Sequence, residues 1–285
     1  MDIEYCNYNN INGRVRQFIV NKEYIHYDYV YITDISIDKE NADLIENTHP
    51  DTFKDGFNLD EIFQLFDHHK TADWLNEYYW ANIKEHDFNN IKISATKMFY
   101  EYLIYEKYLM PTRLLDTFVE KVRRYDTWLW ATKYNDTEAK QLNDLLYIYG
   151  REQFINKWFE KLKNKSLYNS TDLFSFSDNT LLILEQQKID KYIQEKAEQI
   201  KIISLNNYLA GIVFAEQYIS ELGNELCKIY SKLDFVVIIN IAKNTVNYRA
   251  TKDNIDLSEI AKIYGGGGHP KASGSQISES NKLKY

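Results

Sequence analysis

Two apolar runs that each end on an aspartate constrain this fold more than any other feature of the chain. Residues 29–33 (Tyr-Val-Tyr-Ile-Thr) run into Asp34, and residues 62–66 (Ile-Phe-Gln-Leu-Phe) run into Asp67. A helical pattern over about residues 39–46 lies between them. Apolar strands alternating with helices argue for a parallel sheet flanked by helices, because a crossover helix is what returns the chain to the same edge. Both carboxylates then stand at carboxyl ends of strands, the edge at which open α/β sheets bind ligands. Upstream, residues 3–8 read as a further strand and residues 15–20 as a short helix.

From residue 94 to about 163 the pattern is helical, with Phe99, Leu103, Leu114, Phe118 and Val122 on recurring faces. Residues 164–178 are rich in Ser, Asn and Asp and mark a domain boundary. Leu182, Ile189, Ile193 and Ile200 then form one stripe of a long amphipathic helix over about residues 179–203. A strand at 209–214, a helix carrying Leu222, Leu226 and Ile229, and strands near 235–241 and 246–250 follow. Asp256 with Glu259 three residues later makes an acidic variant of a capping box for a last short helix, which the glycine run after it terminates. The 285 residues suffice for two cores. The expectation is an α/β protein of two domains: a parallel sheet flanked by helices, a long connecting helix, and a smaller mixed α/β C-terminal domain. The segments are 1–165, 166–206 and 207–285.

Charge narrows the ligand class. Thirty-four basic against 42 acidic residues give a net charge of −8, which disfavours tracking along long duplex nucleic acid. Short or monomeric phosphate ligands need only a local cluster of positive and N–H groups. No stretch approaches the roughly 20 apolar residues of a membrane span, and the N-terminus lacks the basic-then-apolar pattern of a secretory signal. A cytoplasmic protein without a membrane partner is expected. Cys6 and Cys227 show no ligand spacing and read as buried free thiols.

Several residues carry chemistry, each with a plainer reading beside it. Asp34 is a metal ligand or a cap of the next helix. Asp67-His68-His69 can put an imidazole on a metal with a carboxylate behind it, and two adjacent histidines after a buried strand are costly to hide without partners. Asp126, in Tyr125-Asp126-Thr127-Trp128, reads on its own as a surface or capping acid. Gly265-Gly266-Gly267-Gly268-His269 lets backbone N–H groups approach an anion, or is a linker. Arg249 can pair with a phosphate bidentately or is an ordinary surface arginine. Ser220 and Asn224 are polar residues at and near the start of the helix carrying Leu222, where an N-cap explains Ser220.

The context Leu65-Phe66-Asp67-His68-His69-Lys70-Thr71, followed far downstream by the glycine run, His269 and Ala272-Ser273-Gly274, resembles the DHH phosphoesterase superfamily with its DHH-associated C-terminal domain. The resemblance covers nearly the whole chain. It implies a catalytic domain at 1–165, a substrate-binding domain at 207–285 and an active site in the cleft between them. Asp34 would bridge two divalent metals, Mn²⁺ or Mg²⁺, with His68 and Asp126 as further ligands. His69 would contact the scissile phosphate and Asp67 would support the histidines. Gly266, Gly267, Gly268 and His269, with Arg249, Ser220 and Asn224, would hold substrate.

The Tyr-Asp-Thr-Trp context is similar to the branch that degrades very short RNAs, implying a manganese-dependent phosphodiesterase that trims short RNA oligonucleotides from the 3′ end to mononucleotides. Hydrolysis of a cyclic dinucleotide or of a 3′-phosphorylated adenosine nucleotide uses the same scaffold, and a homo-oligomer is compatible with either.

The chain departs from the family at its start. Such proteins open with a strand followed by His-x-Asp-x-Asp-Gly, and no such sequence precedes Asp34. His26-Tyr27-Asp28 precedes its strand and His49-Pro50-Asp51 lies before the next, so both would sit at the wrong edge. The catalytic domain thus reads as lacking its first strand, and what remains would hold about one metal, weakly, through Asp34, His68 and Asp126. An inactive nucleotide-binding remnant is the alternative from another class, and a start codon assigned too far downstream would reconcile the two.

Overall fold

Strand pairing sets Asp34 and Asp67 at one level of a parallel sheet in the computed structural model, which describes residues 2–48, 59–205, 207–252 and 254–277. The chain divides into two compact units, Met1–Asp178 and Asn179–Tyr285.

In the first unit, α1 (Ile11–Val20) precedes β1 (Val30–Thr33), followed by α2 (Lys39–Asn47), the single turn α3 (Leu59–Ile62), β2 (Phe63–Asp67) and β3 (Ala81–Ile83). The sheet order is β1-β2-β3, parallel throughout. Side chains alternate across it as a pleated sheet requires. Ile32, Phe63 and Leu65 pack beneath Ile11, Val15 and Ile19 of α1 and Ala42 and Ile45 of α2. On the opposite face Tyr31 and Phe66 meet Met98, Phe99 and Tyr102 of α4 (Ala95–Tyr105). Burial on both faces is why these strands read as nearly continuous apolar runs.

The helices α5 (Arg113–Asp126), α6 (Thr137–Tyr149) and α7 (Arg151–Lys163) gather Leu114, Leu142 and Trp158 into a small core of their own. Between α5 and α6 lies a π-helical turn, Trp130–Tyr134.

One expectation fails in this unit, and one strand is present that the sequence does not signal. Residues 3–8 form no strand, and Ile3 and Tyr5 are exposed. A strand exists only by pairing, and an alternating pattern does not supply a neighbour. Conversely β3 is too short to register as a periodic run, and it is the pairing with Leu65, Phe66 and Asp67 that makes it a strand. His26-Tyr27-Asp28 precedes β1, as expected. His49-Pro50-Asp51 lies outside the described residues.

The long helix α8 (Phe176–Ala197) buries Leu182, Ile189 and Ile193. It stops short of the expected residue 203, because Lys201–Leu205 is β4, paired antiparallel with β5 (Tyr208–Phe214). Ile200 therefore lies past the helix end. The sheet continues through β6 (Phe235–Asn240), β7 (Thr245–Arg249), β8 (Gly267–His269) and β9 (Ala272–Gln276) in the order β4-β5-β6-β7-β9-β8, with only β5 and β6 parallel. One face packs on α8 and α9 (Ile219–Ile229), the other on α10 (Leu257–Ile263). Among the described residues no helix is long and apolar enough to cross a membrane.

Candidate metal centre

The centre grows from the ends of β1 and β2. The N–H of Asp34 continues the ladder to Phe66 O at 2.9 Å, and the backbone then turns through φ 64°, a left-handed conformation that aspartate tolerates better than most residues. Asp34 does not cap the next helix, since Asp38 does so by accepting from Asn41 N. Its carboxylate is left half-exposed beside the end of β2.

Asp67, the last residue of β2, is fully buried. Its Oδ1 accepts from His68 N at 2.7 Å and from His69 N at 3.3 Å, and lies 2.7 Å from His69 Nδ1. One oxygen thus fixes the backbone turn and the His69 ring. The other, Oδ2, is buried without a hydrogen-bond partner.

Asp126 arrives from elsewhere. It ends α5, where a carboxylate meets the negative end of the helix dipole, an unfavourable place unless a cation lies nearby. That helix end is pinned. The buried Arg123 donates to Lys92 O at 2.6 Å and pairs with Glu120, while Arg124 pairs with Glu120 and with Asp136, the cap of α6.

These elements bring Asp34, His68 and Asp126 together. His68 Nε2 lies 3.3 Å from Asp34 Oδ1 and 3.2 Å from Asp126 Oδ2. Those distances suit an ion pair, yet the angles make no hydrogen bond, and Nε2 is buried without such a partner. Ligand atoms of Asp34, Asp67, His68 and His69 all fall within 4.8 Å of one another. The Asp34 carboxylate, then Asp126, holds the His68 pKa above the usual imidazole value against the opposing effect of burial. Asp67 does the same for His69. Burial, and then Asp34, pushes the Asp126 carboxyl up.

Crowded carboxylates, with a buried imidazole nitrogen and a buried carboxylate oxygen that make no hydrogen bond, fit a divalent cation, for which mixed oxygen and imidazole donors suit Mn²⁺ or Mg²⁺. Tyr8, which nothing in the sequence separates from the other tyrosines, sets its ring edge-on to His69 at 6.4 Å. Burial, and then the charges of Asp67 and Asp34, pushes its hydroxyl pKa up.

In the second unit, Arg249 closes β7. Its Nη2 donates to Ser220 Oγ at 3.2 Å and its Nη1 to Tyr248 O at 2.9 Å. Ser220 is not an N-cap, because Tyr218 holds that position in α9. Gly223 of the same helix lies flush against Arg249, so that a Cβ there would overlap Arg249 Cγ.

Gly265 terminates α10 at φ 70°, as the glycine run led one to expect. The rest of the run is not an open loop but enters β8, a difference imposed by pairing with β9. Gly268 sits at φ 138° against Ser273, a close approach available only without a Cβ. The registers Arg249↔Ala272 and Ala272↔His269 place Arg249 and His269 in one cross-strand row, hence on one face, with His269 exposed. Asn224 lies half-buried on α9. Cys227 is buried and its thiol pushed up to about 11 by burial, whereas Cys6 is only half-buried, and both are free.

Residues 207–284 match the DHHA1 domain family. The chain is 38% identical over 284 residues to the oligoribonuclease NrnB of Bacillus subtilis, covering 98% of this chain and 67% of that protein. It is 27% identical over 228 residues to an uncharacterized protein of Acanthamoeba polyphaga mimivirus, covering 78% of this chain and 49% of the relative. The chain therefore spans about two thirds of one relative and about half of the other. Among solved structures, the DHH domain of a protein described as a member of a family of ribosomal proteins shares the fold, with a TM-score of 0.53 at 13% identity over 96% of this chain and 72% of that one.

Proposed function

The chain belongs to the DHH family of phosphoesterases, and from that premise we propose that it is a metal-dependent phosphodiesterase acting on short RNA oligonucleotides, which it trims from the 3′ end to mononucleotides. The observation that carries this reading is the convergence of two carboxylates, Asp34 and Asp126, from separate segments on the imidazole nitrogen of His68. The B. subtilis relative, an oligoribonuclease by name, supports the substrate class.

In this reading Asp34, His68 and Asp126 hold the ion, Mn²⁺ foremost. The chemistry such an ion supplies is activation of a water nucleophile and neutralisation of charge at the phosphoryl oxygens. The protein's part is positional. Asp67 ties His69 Nδ1 and both following amides, so the other ring nitrogen is presented in a fixed direction to a phosphate oxygen. Arg249, steadied by Ser220 and Gly223, acts with His269 and the strand edge at Gly267 and Gly268 to bind substrate phosphate, while Gly266, whose N–H donates to Ala261 O at 2.9 Å, shapes the turn that leads into it. Asn224 contributes from the adjoining helix.

The test is release of mononucleotides from a labelled RNA trimer in Mn²⁺. Release that stops with a chelator, with His68→Ala and with His69→Ala is expected. A trimer left intact by the parent protein, or cleaved equally by the His68 variant, overturns the reading.

A further inference from the structure

Immediately after Asp126 the backbone adopts a conformation that its side chain makes costly. The N–H and Oγ1 of Thr127 both donate to Arg123 O, at 3.0 and 2.7 Å, and Trp128 N donates to Tyr125 O at 3.0 Å. Trp128 itself takes φ 62°. In the left-handed region a bulky residue is an outlier, and glycine would relieve it.

The strain does not serve a core, because Trp128 is 45% exposed. It is nonetheless built in. The indole meets Trp130 edge-on at 5.5 Å, Trp130 stacks on Tyr125 at 6.1 Å and 18°, and Asn143 Nδ2 donates to Tyr125 Oη at 2.9 Å from α6. Trp130 also opens the π-helical turn, an irregularity frequent at functional sites. Strain of this kind persists where the surroundings hold a residue in place for a task. Only Thr127 separates Trp128 from Asp126, so their Cα atoms are at most about 7 Å apart. The result is a buttressed, solvent-facing aromatic plane beside a centre that handles phosphate.

We propose that Trp128 is a stacking platform for the nucleobase on the ribose next to the scissile phosphate, and that it makes the centre select nucleotides over other phosphodiesters. This rests on the phosphodiesterase reading above and adds to it the group recognised. Base–aromatic stacking tolerates every base, so the platform confers selectivity for a base without choosing which one.

The experiment measures binding of an uncleavable phosphonate-linked adenosine dinucleotide and of its doubly abasic counterpart, in Mn²⁺, to the full chain and to Trp128→Ala, Trp128→Gly and Trp128→Phe. Trp128→Ala and Trp128→Gly are expected to weaken the dinucleotide by about tenfold or more and to leave the abasic ligand within about twofold. Trp128→Phe should retain most of the affinity. Trp128→Gly should melt no lower than Trp128→Ala, since glycine accepts the positive φ, and it decides the matter should the alanine variant fail to fold. Unchanged dinucleotide affinity in the glycine variant, or equal loss of both ligands, overturns the platform alone. A parent that binds neither ligand overturns the phosphodiesterase reading and the platform with it.

Discussion

His68 Nε2 and Asp126 Oδ2 stand 3.2 Å apart, one at the end of a sheet strand and the other at the end of a helix held in place by Arg123 and Arg124. Asp34 Oδ1 lies 3.3 Å from the same nitrogen, so the described residues gather ligands for about one ion. Titration with Mn²⁺ should give about one site, read by calorimetry or electron paramagnetic resonance, and His68→Ala should abolish it. Two tight sites would contradict this ligand set.

Asp67 is expected to be more costly to remove than a surface acid. It is fully buried and accepts from two backbone amides while orienting the His69 ring. Asp67→Ala should lower stability by roughly 1.5–3 kcal/mol, the scale of one hydrogen bond to a charged group, and reduce RNA cleavage. Asp67→Asn, which keeps an acceptor oxygen, should lose less stability in chemical denaturation. Equal losses in the two variants would show that the accepted bonds do not matter.

Substrate binding should be separable from the metal pocket. His269→Ala and Arg249→Ala are each expected to weaken binding of a short RNA by roughly 1.5–3 kcal/mol, on the same scale, with Mn²⁺ affinity unchanged. If both variants bind RNA as the parent does, the row formed by Arg249, Ala272 and His269 is not a phosphate grip.

The glycines of the run should differ sharply in tolerance. A Cβ at Gly266 would overlap the backbone oxygen of Gly274, whereas one at Gly267 would meet nothing within 4 Å. Gly266→Ala should therefore cost about 1–3 kcal/mol by overpacking, and Gly267→Ala less than about 1 kcal/mol. Thermal melts compare them directly, and equal melting would refute the register of the β8–β9 hairpin.

Acid should reveal Asp178. Burial pushes its carboxyl up, but Lys157, then Ser175 and Tyr149, donate to the carboxylate and outweigh that effect, holding its pKa at about 2 against an ordinary 3.8. A depressed folded pKa contributes stability that is fully present above the unfolded value and disappears as pH falls through the folded one. Asp178→Asn should be less stable than the parent by about 1–2 kcal/mol near pH 6, after allowance for solvent screening. That gap should close between pH 4 and pH 2 in denaturant unfolding. A gap independent of pH would assign the loss to packing instead.

Much of the fold was legible because burial leaves a local trace. The continuous apolar runs before Asp34 and Asp67 mark strands buried on both faces, the stripe of Leu182, Ile189 and Ile193 repeats with the helical period, and Asp256 signals the start of α10 as its cap. The reading failed where pairing, not periodicity, makes the element. Residues 3–8 alternate but have no neighbouring strand, and Gly267 and Gly268 carry no strand signal yet join a sheet edge because β9 lies beside them. The helical stripe ran on into β4 because Ile200, Ile202 and Ile203 are apolar in either conformation.

The sequence by itself determined the chemistry of the centre: an aspartate at each of two strand ends, an Asp-His-His step, and an acid before an aromatic stretch. Only the tertiary structure decided how those groups meet. It put Asp67 behind the histidines with one oxygen unpaired, brought Asp34 and Asp126 within 3.3 and 3.2 Å of one His68 nitrogen, and left Trp128 at a positive φ and partly exposed two positions after Asp126. The physical reason is range. Strand ends and helix ends are set by interactions over a few residues, whereas the distance between a strand end and a distant helix end depends on how every intervening element packs. No local pattern contains that distance.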